Sequence, residues 1–303
     1  IASDKNRITL GTDHSLQSRD RSTAMMRSIV ARRSTAQSFH ENSILHPCVR
    51  GPSHWICESR FAFSHHQRSL DTGLGKAIPN KRIKGTIVIV IDDFGYRNDA
   101  LLDAFMQLEA RLTYAIIPGH AYSSSTAAMA HKRGYEVLVH MPMEALGSAP
   151  GELDYRLTRS MPSEEIRRRL RAAFWSLPQA VGLNNHQGSA ATGDARVMRV
   201  VGSELIRAGK FFLDSRTSPW SVAEVSMEPY GVATAHRDVF LDHYDNLQFI
   251  REQLNVLAET ARIEGFAVGI GHVRYNTLQV LKDTIPRLKE AGFEFAYASQ
   301  VVR

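Results

Sequence analysis

The sequence predicts an α/β protein: a distorted (β/α) barrel of seven or eight parallel strands, preceded by a largely irregular N-terminal extension. Three observations predict this fold. From residue 85 onward, short apolar runs alternate with amphipathic segments. The apolar runs are nearly continuous, as in strands that are covered on both faces. Seven or eight such units fit into the 219 residues from 85 to 303, which favours a compact barrel. An open, doubly wound sheet is the alternative.

The boundary between the two parts coincides with a change in charge. Residues 1–84 contain 14 Lys and Arg against 6 Asp and Glu, whereas residues 85–303 contain 23 against 25. The net charge of +6 therefore comes from the extension. Because the barrel region is nearly neutral, we expect no nucleic-acid partner. Both cysteines, Cys48 and Cys57, also lie in the extension, which excludes thiolate chemistry from the barrel.

The extension, residues 1–84, shows no sustained helical or strand periodicity and is interpreted as a basic, disordered tail and linker. Residues 21–40 contain no acid and are rich in Arg and Ser, so an organellar transit peptide is a second interpretation. No run approaches about 18 consecutive apolar residues, which predicts no transmembrane segment. No basic start followed by an apolar core, the pattern of a signal peptide, is visible.

Eight apolar runs are predicted to form the strands of the barrel. Each is five to seven residues long, and most are rich in Val, Ile, Leu or Phe. In chain order they are TIVIVI (86–91), LTYAII (112–117), EVLVH (136–140), AVGLN (180–184), KFFLD (210–214), GVATAH (231–236), FAVGIG (266–271) and FEFAYAS (293–299).

Six amphipathic segments between these runs are predicted to be helices. Several begin at Ser, Asp or Asn and end at Gly, which are the residues preferred at helix caps. In chain order the segments cover residues 98–110, 123–134, 162–177, 194–209, 246–265 and 277–292.

Polar residues follow almost every predicted strand at its carboxyl end. In a parallel barrel these ends open on one face, so residues far apart in the sequence are expected to meet there. In chain order they are Asp92, Asp93, His120, His140, Asn184, Asn185, His186, Asp214, Arg237, Asp238, Asp242, His243 and His272.

Each of these residues also has an ordinary structural interpretation. One acid of the Asp92–Asp93 pair can cap the following helix, although a cap needs only one carboxylate. His140 can be a buried core histidine, and Asn184 with Asn185 can belong to a turn. Asp214 can accept hydrogen bonds within its own turn. Their joint position on one rim favours function over these separate interpretations.

Carboxylates and histidines without cysteine are typical of a divalent metal site, most simply zinc, with an open position for water. Such a metal lowers the pKa of a bound water, and a second carboxylate can then take the proton. This predicts different roles for Asp92 and Asp93. Other chemistries lack their motifs: the sequence has no G-x-S-x-G elbow, no G-x-x-x-x-G-K-[ST] loop and no G-x-G-x-x-G turn.

Seven motifs in this order resemble those of the divergent polysaccharide deacetylases, relatives of the NodB-type chitooligosaccharide deacetylases. The resemblance covers residues 85–303. It implies metal-dependent hydrolysis of acetyl groups on a polysaccharide or oligosaccharide, and suggests a periplasmic or extracytoplasmic location. The motifs are IVIVIDDFG, AIIPG, VLVHMPME, VGLNNHQGS, FFLDSRTS, RDVFLD and VGIGH.

The resemblance also implies roles for individual residues. Asp92 matches the general base, Asp93 a metal ligand and His140 the first metal-binding histidine. His272 matches the late histidine that acts as general acid. Asp214 is expected to hydrogen-bond a ligand or to orient the base, and is therefore counted with the catalytic residues.

One position departs from the family pattern. Typical members carry a second histidine four residues after the first, and here that position is Glu144. Either Glu144 or His186 completes the metal site, and we favour His186 from NNHQGS. Glu144 also motivates a second hypothesis, a non-catalytic barrel that binds carbohydrate or cell envelope and has lost the deacetylase chemistry.

Overall fold

The structure is a computed structural model that describes residues 83–147 and 151–303. The predictions made for residues 1–82 lie outside the described residues. They are the disordered basic tail, the transit-peptide interpretation of residues 21–40 and the two cysteines. No helix in the described part of the chain is long and apolar enough to span a membrane.

Nine parallel strands form one curled sheet among the described residues. Eight of them follow the order β6-β5-β4-β3-β2-β1-β8-β7, and β9 pairs with the first half of β1. This is the predicted barrel-like fold. The strands are β1 (Gly85–Phe94), β2 (Thr113–Ile116), β3 (Glu136–Met143), β4 (Gly182–Gln187), β5 (Phe211–Asp214), β6 (Thr234–His236), β7 (Val239–Phe240), β8 (Phe266–His272) and β9 (Phe293–Ala296).

The two edges of this sheet belong to one short segment, residues 234–240. Its first three residues pair with β5, and Val239 and Phe240 pair with β8. Between them, the backbone N–H of Arg237 donates to Asp214 and that of Asp238 donates to Val268. The segment therefore brings the edges of the curled sheet together. The sequence predicted β6 as one longer strand and missed β7, because two paired residues leave no periodicity to detect.

Seven α-helices cover the outside of the sheet in the described residues. Asp194 and Asn246 accept hydrogen bonds from the first N–H groups of their helices, and Gly209 and Gly292 end helices in the left-handed region, which confirms the predicted caps. The short α5 was not predicted. The helices are α1 (Ala100–Phe105), α2 (Ser123–Lys132), α3 (Ser163–Ser176), α4 (Ala195–Ala208), α5 (Ala223–Met227), α6 (Leu247–Glu264) and α7 (Tyr275–Ala291).

Side chains of the strands alternate between two apolar clusters. On β1, Ile87, Ile89 and Ile91 pack in the larger cluster between sheet and helices. Val88 and Val90 belong to a smaller cluster inside the barrel, together with residues of β3, β5 and β8. Successive residues of a strand face opposite sides, so the parity of a residue decides whether it faces the helices or the barrel interior.

Candidate active site

The two adjacent acids at the end of β1 reach the same site because the strand is irregular there. Asp92 has the parity of Val88 and Val90 and lies at the end of the barrel interior. Asp93 would point the other way on a regular strand. However, the β1–β2 register shifts between Ile91 and Phe94, and Asp93 has φ +68°, in the left-handed region. This turn brings the carboxylate of Asp93 to the histidines.

The same alternation along the strands decides whether the other predicted site residues face the barrel interior or the helices. His140 follows the interior residue Leu138 by two positions on β3, and His272 follows Ile270 by two on β8. Both imidazoles therefore lie on the inner side. Asp214 follows Phe212, which packs in the outer cluster. Its side chain consequently has the opposite parity from the site.

Asp93, His140 and His186 bring three ligand-type atoms together. Oδ1 of Asp93 lies 3.3 Å from Nε2 of His140 and 3.2 Å from Nδ1 of His186. The two ring nitrogens are 3.1 Å apart. Zinc–nitrogen bonds of about 2.0–2.1 Å place tetrahedral ligands about 3.3–3.4 Å apart. The three atoms thus approximate one face of a tetrahedron, and they form the one Asp–His–His cluster of this kind in the described residues.

The electrostatics of these three atoms also suit a cation. Oδ1 of Asp93 is buried and accepts no hydrogen bond from the described residues. Burial on its own raises the pKa of Asp93, but the nearby rings of His140 and His186 outweigh it and hold that pKa well below its usual range. Asp93 is therefore ionised. Its negative oxygen lies close to one ring nitrogen of His140 and one of His186. Because a buried charge needs a partner, a cation or a proton has to lie among these three atoms.

Asn184 fixes the orientation and tautomer of His140. The side-chain nitrogen of Asn184 donates to Oδ1 of Asp92 at 2.8 Å and approaches Oγ of Ser215 at 3.3 Å. Its oxygen therefore faces Nδ1 of His140, 2.8 Å away, and accepts the proton there. In the neutral ring, this arrangement leaves the lone pair on Nε2 of His140, on the side of Asp93 and His186.

Asp92 lies beside this cluster and is almost fully buried. Burial raises its pKa above the usual value, and the charge of neighbouring Asp93 adds to that effect. Nearby His140 and His272 and the hydrogen bond from Asn184 act in the opposite direction. A carboxylate with a raised pKa is a better proton acceptor near neutral pH than an exposed one.

His272 faces Asp92 from the adjacent strand, where the two residues are register partners. Asp242 is fully buried and accepts from Nδ1 of His272 at 2.7 Å. The other Asp242 oxygen accepts from the backbone of His272 and from Oγ1 of Thr277, both at 2.7 Å. Burial on its own lowers the pKa of His272, but Asp242 outweighs it and raises that pKa. This contact favours the protonated ring, in which Nε2 is available as a donor.

A cavity of about 450 Å³ opens over these groups. This volume is within the usual range for a small-molecule or sugar site. Its lining combines Asp92 and four histidines with two arginines and the ring of Phe240. The lining residues are Asp92, His140, Asn185, His186, Gln187, Ser215, Arg216, Thr217, Arg237, Phe240, His243, Ile270 and His272.

Backbone strain is concentrated around the cavity. Four non-glycine residues have positive φ in the described chain: Asp93, Glu152, Gln187 and Arg216. Gln187 and Arg216 line the cavity, and Oε2 of Glu152 lies 4.0 Å from Nε2 of His186. Such conformations are costly and are retained mainly where function requires them.

Two predicted residues lie away from the cluster. Glu144 pairs with Arg159, which donates to it from the backbone at 2.7 Å and from Nη2 at 3.0 Å. Glu144 is therefore not part of the Asp–His–His cluster, and His186 is. The carboxylate of Asp214 accepts from the backbone of Arg216 at 2.8 Å and from Oγ of Ser221 at 2.6 Å. It shapes the turn after β5, and its part in catalysis stays a prediction.

Sequence reasoning missed three contacts in this region. Asn184 was placed on the rim, with a turn residue as the alternative, but its contacts with His140 and Asp92 were not predicted. Asp242 was noted on the rim but was not paired with His272. Glu152 was not singled out; its side chain is almost buried, accepts from the hydroxyl of Tyr96 and lies 3.5 Å from Nε2 of His120.

Comparison with known families places the described residues in one family. Residues 89–302 match the model of the divergent polysaccharide deacetylase family. The chain belongs to this family. Two curated relatives are similar over much of their length. The uncharacterized protein YibQ of Escherichia coli K12 is 36% identical over 214 residues, which is 70% of this chain and 66% of that protein. An uncharacterized protein of Haemophilus influenzae Rd is 35% identical over 67% of this chain and 72% of its own.

Solved structures support the fold. The crystal structure of an uncharacterized protein from Agrobacterium tumefaciens C58 superposes with a TM-score of 0.68 at 21% identity, covering 72% of this chain and 89% of that one. A putative cellobiose-phosphate cleavage protein from Enterococcus faecalis V583 gives a TM-score of 0.52 at 14% identity, covering 72% and 99%. At such identities the likeness concerns the fold alone.

Proposed function

We propose that this protein is a metal-dependent hydrolase that removes acetyl groups from a polysaccharide or a related acetylated sugar. One observation carries the proposal: ligand-type atoms of Asp93, His140 and His186 lie 3.1–3.3 Å from one another. Beside them lie the buried carboxylate of Asp92 and the imidazole of His272, which is hydrogen-bonded to Asp242. Membership in the divergent polysaccharide deacetylase family supports the choice of substrate.

The three converging residues fit a divalent cation, most simply zinc. Asp93 would supply one oxygen, and His140 and His186 would each supply one nitrogen. The buried Asp93 oxygen without a hydrogen-bond donor favours this assignment. A cation held there would supply Lewis-acid chemistry, lowering the pKa of water and polarising an acetyl carbonyl.

The chain's own residues supply the proton transfers. Asp92 accepts a proton from the attacking water, whose oxygen forms a bond to the acetyl carbon. His272 donates the proton on Nε2 to the sugar nitrogen or oxygen as its bond to that carbon breaks. Acetate and the free amine or hydroxyl are the products. The raised pKa values of Asp92 and His272 suit a base and an acid that work near neutral pH.

The remaining contacts hold these groups in place. Asn184 orients His140 and Asp92 together, and Asp242 orients His272. Because these partners are themselves buried, the groups stay aligned without reorganisation during the reaction.

The direct test is metal content followed by acetate release. Purified protein should contain about one divalent ion per chain and should release acetate from acetylated oligosaccharides. Asp92→Asn and His272→Gln should abolish release but retain the metal, whereas Asp93→Asn and His140→Ala should lose both. Acetate release that survives Asp93→Asn and His140→Ala would refute the proposal.

The same test separates the second hypothesis, a non-catalytic carbohydrate-binding barrel. That hypothesis was motivated by Glu144, which lies apart from the cluster. It requires glycan binding without acetate release in protein that is fully loaded with metal.

A further inference from the structure

Two arginines lie on one wall of the cavity, in addition to the residues of the proposed reaction. Arg216, exposed at the mouth, follows β5, and Arg237, half-buried, lies between β6 and β7. Nη2 of Arg237 donates to the backbone oxygen of Arg216 at 2.9 Å, so the two residues are direct neighbours. We call Arg216 and Arg237 the arginine pair.

The side-chain hydrogen bonds of Arg237 go to backbone oxygens and not to a carboxylate. In the described residues, neither guanidinium forms an ion pair with a carboxylate. Arg237 instead donates to the backbone oxygens of Ser215 at 2.7 Å and of Arg216, and it stacks on the ring of Phe240 at 5.0 Å. The nearest acid of the same turn, Asp214, is already bonded to the Arg216 backbone and to Ser221.

The protein holds these two cations together at a cost. Burial lowers the pKa of Arg237 and the charge of Arg216 lowers it further, whereas the charges of Asp214, Asp92 and Asp238 act in the opposite direction. Arg216 itself is held at φ +45° by the hydrogen bond from its N–H to Asp214. Two positive side chains on one cavity wall, neither in an ion pair with a carboxylate of the described residues, favour an anion there.

We propose that the arginine pair binds a carboxylate of the substrate, so that the preferred substrate is an acidic acetylated glycan. This inference rests on the proposed deacetylase function and adds the substrate class. The guanidinium fork matches the two oxygens of a carboxylate. Asp92 lines the same cavity and repels anions. Together, attraction by the arginine pair and repulsion by Asp92 determine which way an acidic sugar enters.

The test uses matched acidic and neutral glycans. One pair is an acetylated oligosaccharide with hexuronate residues and the same molecule with its carboxylates converted to methyl amides. A second pair carries the carboxylate on a lactyl ether, again with its methyl amide. Binding is measured by calorimetry with a chelator present, so that this readout does not depend on turnover. Acetate release by metal-loaded protein is measured separately.

The wild type should bind the acidic member of at least one pair about tenfold more tightly than its amide, because charge-assisted hydrogen bonds exceed neutral ones. Arg216→Gln should reduce this ratio to nearly one, and Arg216→Lys should restore part of it. Added salt should also reduce the ratio. The pair with the larger ratio identifies the source of the carboxylate.

Arg199→Gln is the matched control, because Arg199 is exposed on α4 and does not line the cavity. It should leave the ratio unchanged. Equal binding of acidic and amide members by the wild type, or no binding of either, overturns the inference. A binding preference without acetate release would contradict the deacetylase proposal and support the arginine pair. Equal acetate release from both members, without a binding preference, would support the deacetylase proposal and contradict carboxylate binding by the arginine pair.

Discussion

The side-chain oxygen of Asn184 lies 2.8 Å from Nδ1 of His140, on the side of the ring opposite the Asp93 cluster. The nitrogen of the same amide donates to Asp92 at 2.8 Å. One buried amide thus connects His140, a proposed metal ligand, to Asp92, the proposed general base. Its two ends are not interchangeable, because Asp92 accepts and His140 Nδ1 donates. Asn184 is therefore expected to affect both metal affinity and the acidity of Asp92.

Replacing Asn184 should separate these two effects. Asn184→Leu removes both hydrogen bonds, and loss of a partner behind a ligating histidine typically weakens metal binding by about 10–100-fold. Asn184→Asp keeps an acceptor for His140 but places a negative charge beside Asp92. It should retain most of the metal affinity and shift the acidic limb of the pH–rate profile upward. Metal affinity is measured by competition with a chromogenic chelator. Equal affinities of the leucine variant and the wild type would contradict this role.

Asp242 should control the pH at which His272 loses its proton. Its charge and hydrogen bond raise the pKa of His272, so Asp242→Asn should lower that pKa. Activity that needs protonated His272 should then decline at lower pH than in the wild type, and the basic limb of the kcat profile should move down. Thr277→Val is the control, because it removes one hydrogen bond to Asp242 and leaves the charge. A basic limb that does not move in Asp242→Asn would argue against His272 as the acid.

The sequence predicted the barrel and the position of the site, because the relevant signals are local. Apolar runs, caps and polar residues at strand ends can be read directly from a few neighbouring residues. It also predicted that Asp92, Asp93, His140 and His272 meet on one rim, since parallel strands place their carboxyl ends together. In the structure, Asp92 and His272 are register partners, and Oδ1 of Asp93 lies 3.3 Å from Nε2 of His140.

Other features depend on contacts that one sequence does not encode locally. The strand irregularity at Asp93 breaks the alternation at a single residue, so that its side chain faces His140 and not the helices. The interaction of Glu144 with Arg159 joins a strand end to a loop fifteen residues away. The direction of the Asp214 side chain also lies beyond the sequence, because Phe211, Phe212 and Leu213 are all apolar and show no alternation. Only the packing of Phe212 in the outer cluster gives the parity of Asp214.

Glu144 and His186 should behave differently when each is replaced. His186→Ala removes one atom of the three-atom cluster and should yield protein with well below one metal ion per chain. Glu144→Gln disrupts only the pair with Arg159, which is partly exposed, so metal content should stay near one. Its effect on the free energy of unfolding should be at most about 1 kcal/mol. Elemental analysis of both proteins after dialysis decides the matter. Metal loss in Glu144→Gln would restore Glu144 as the ligand.

Glu204 on α4 should make a pH-dependent contribution to stability. Its nearly buried carboxylate lies 2.9 Å from Arg171, 3.1 Å from Arg207 and 3.5 Å from Arg167. Burial on its own raises the pKa of Glu204, but Arg171 and the other arginines outweigh it and lower that pKa. Since the pKa in the folded state is below the unfolded value of about 4.3, the contribution is complete above that pH. It is lost as the pH falls through the folded-state pKa.

Glu204→Gln should therefore destabilise the protein at pH 7 by about 1–2 kcal/mol, because the arginine partners are partly exposed and the pair is only half desolvated. The deficit relative to the wild type should shrink as the pH falls toward 3. Urea unfolding at several pH values measures it. Glu164→Gln is the matched control on α3, because Glu164 is mostly exposed and lies 3.6 Å from Arg167. It should cost little at any pH. A Glu204→Gln deficit that is the same at pH 7 and pH 3 would mean that packing, and not the charge of Glu204, stabilises this contact between α3 and α4.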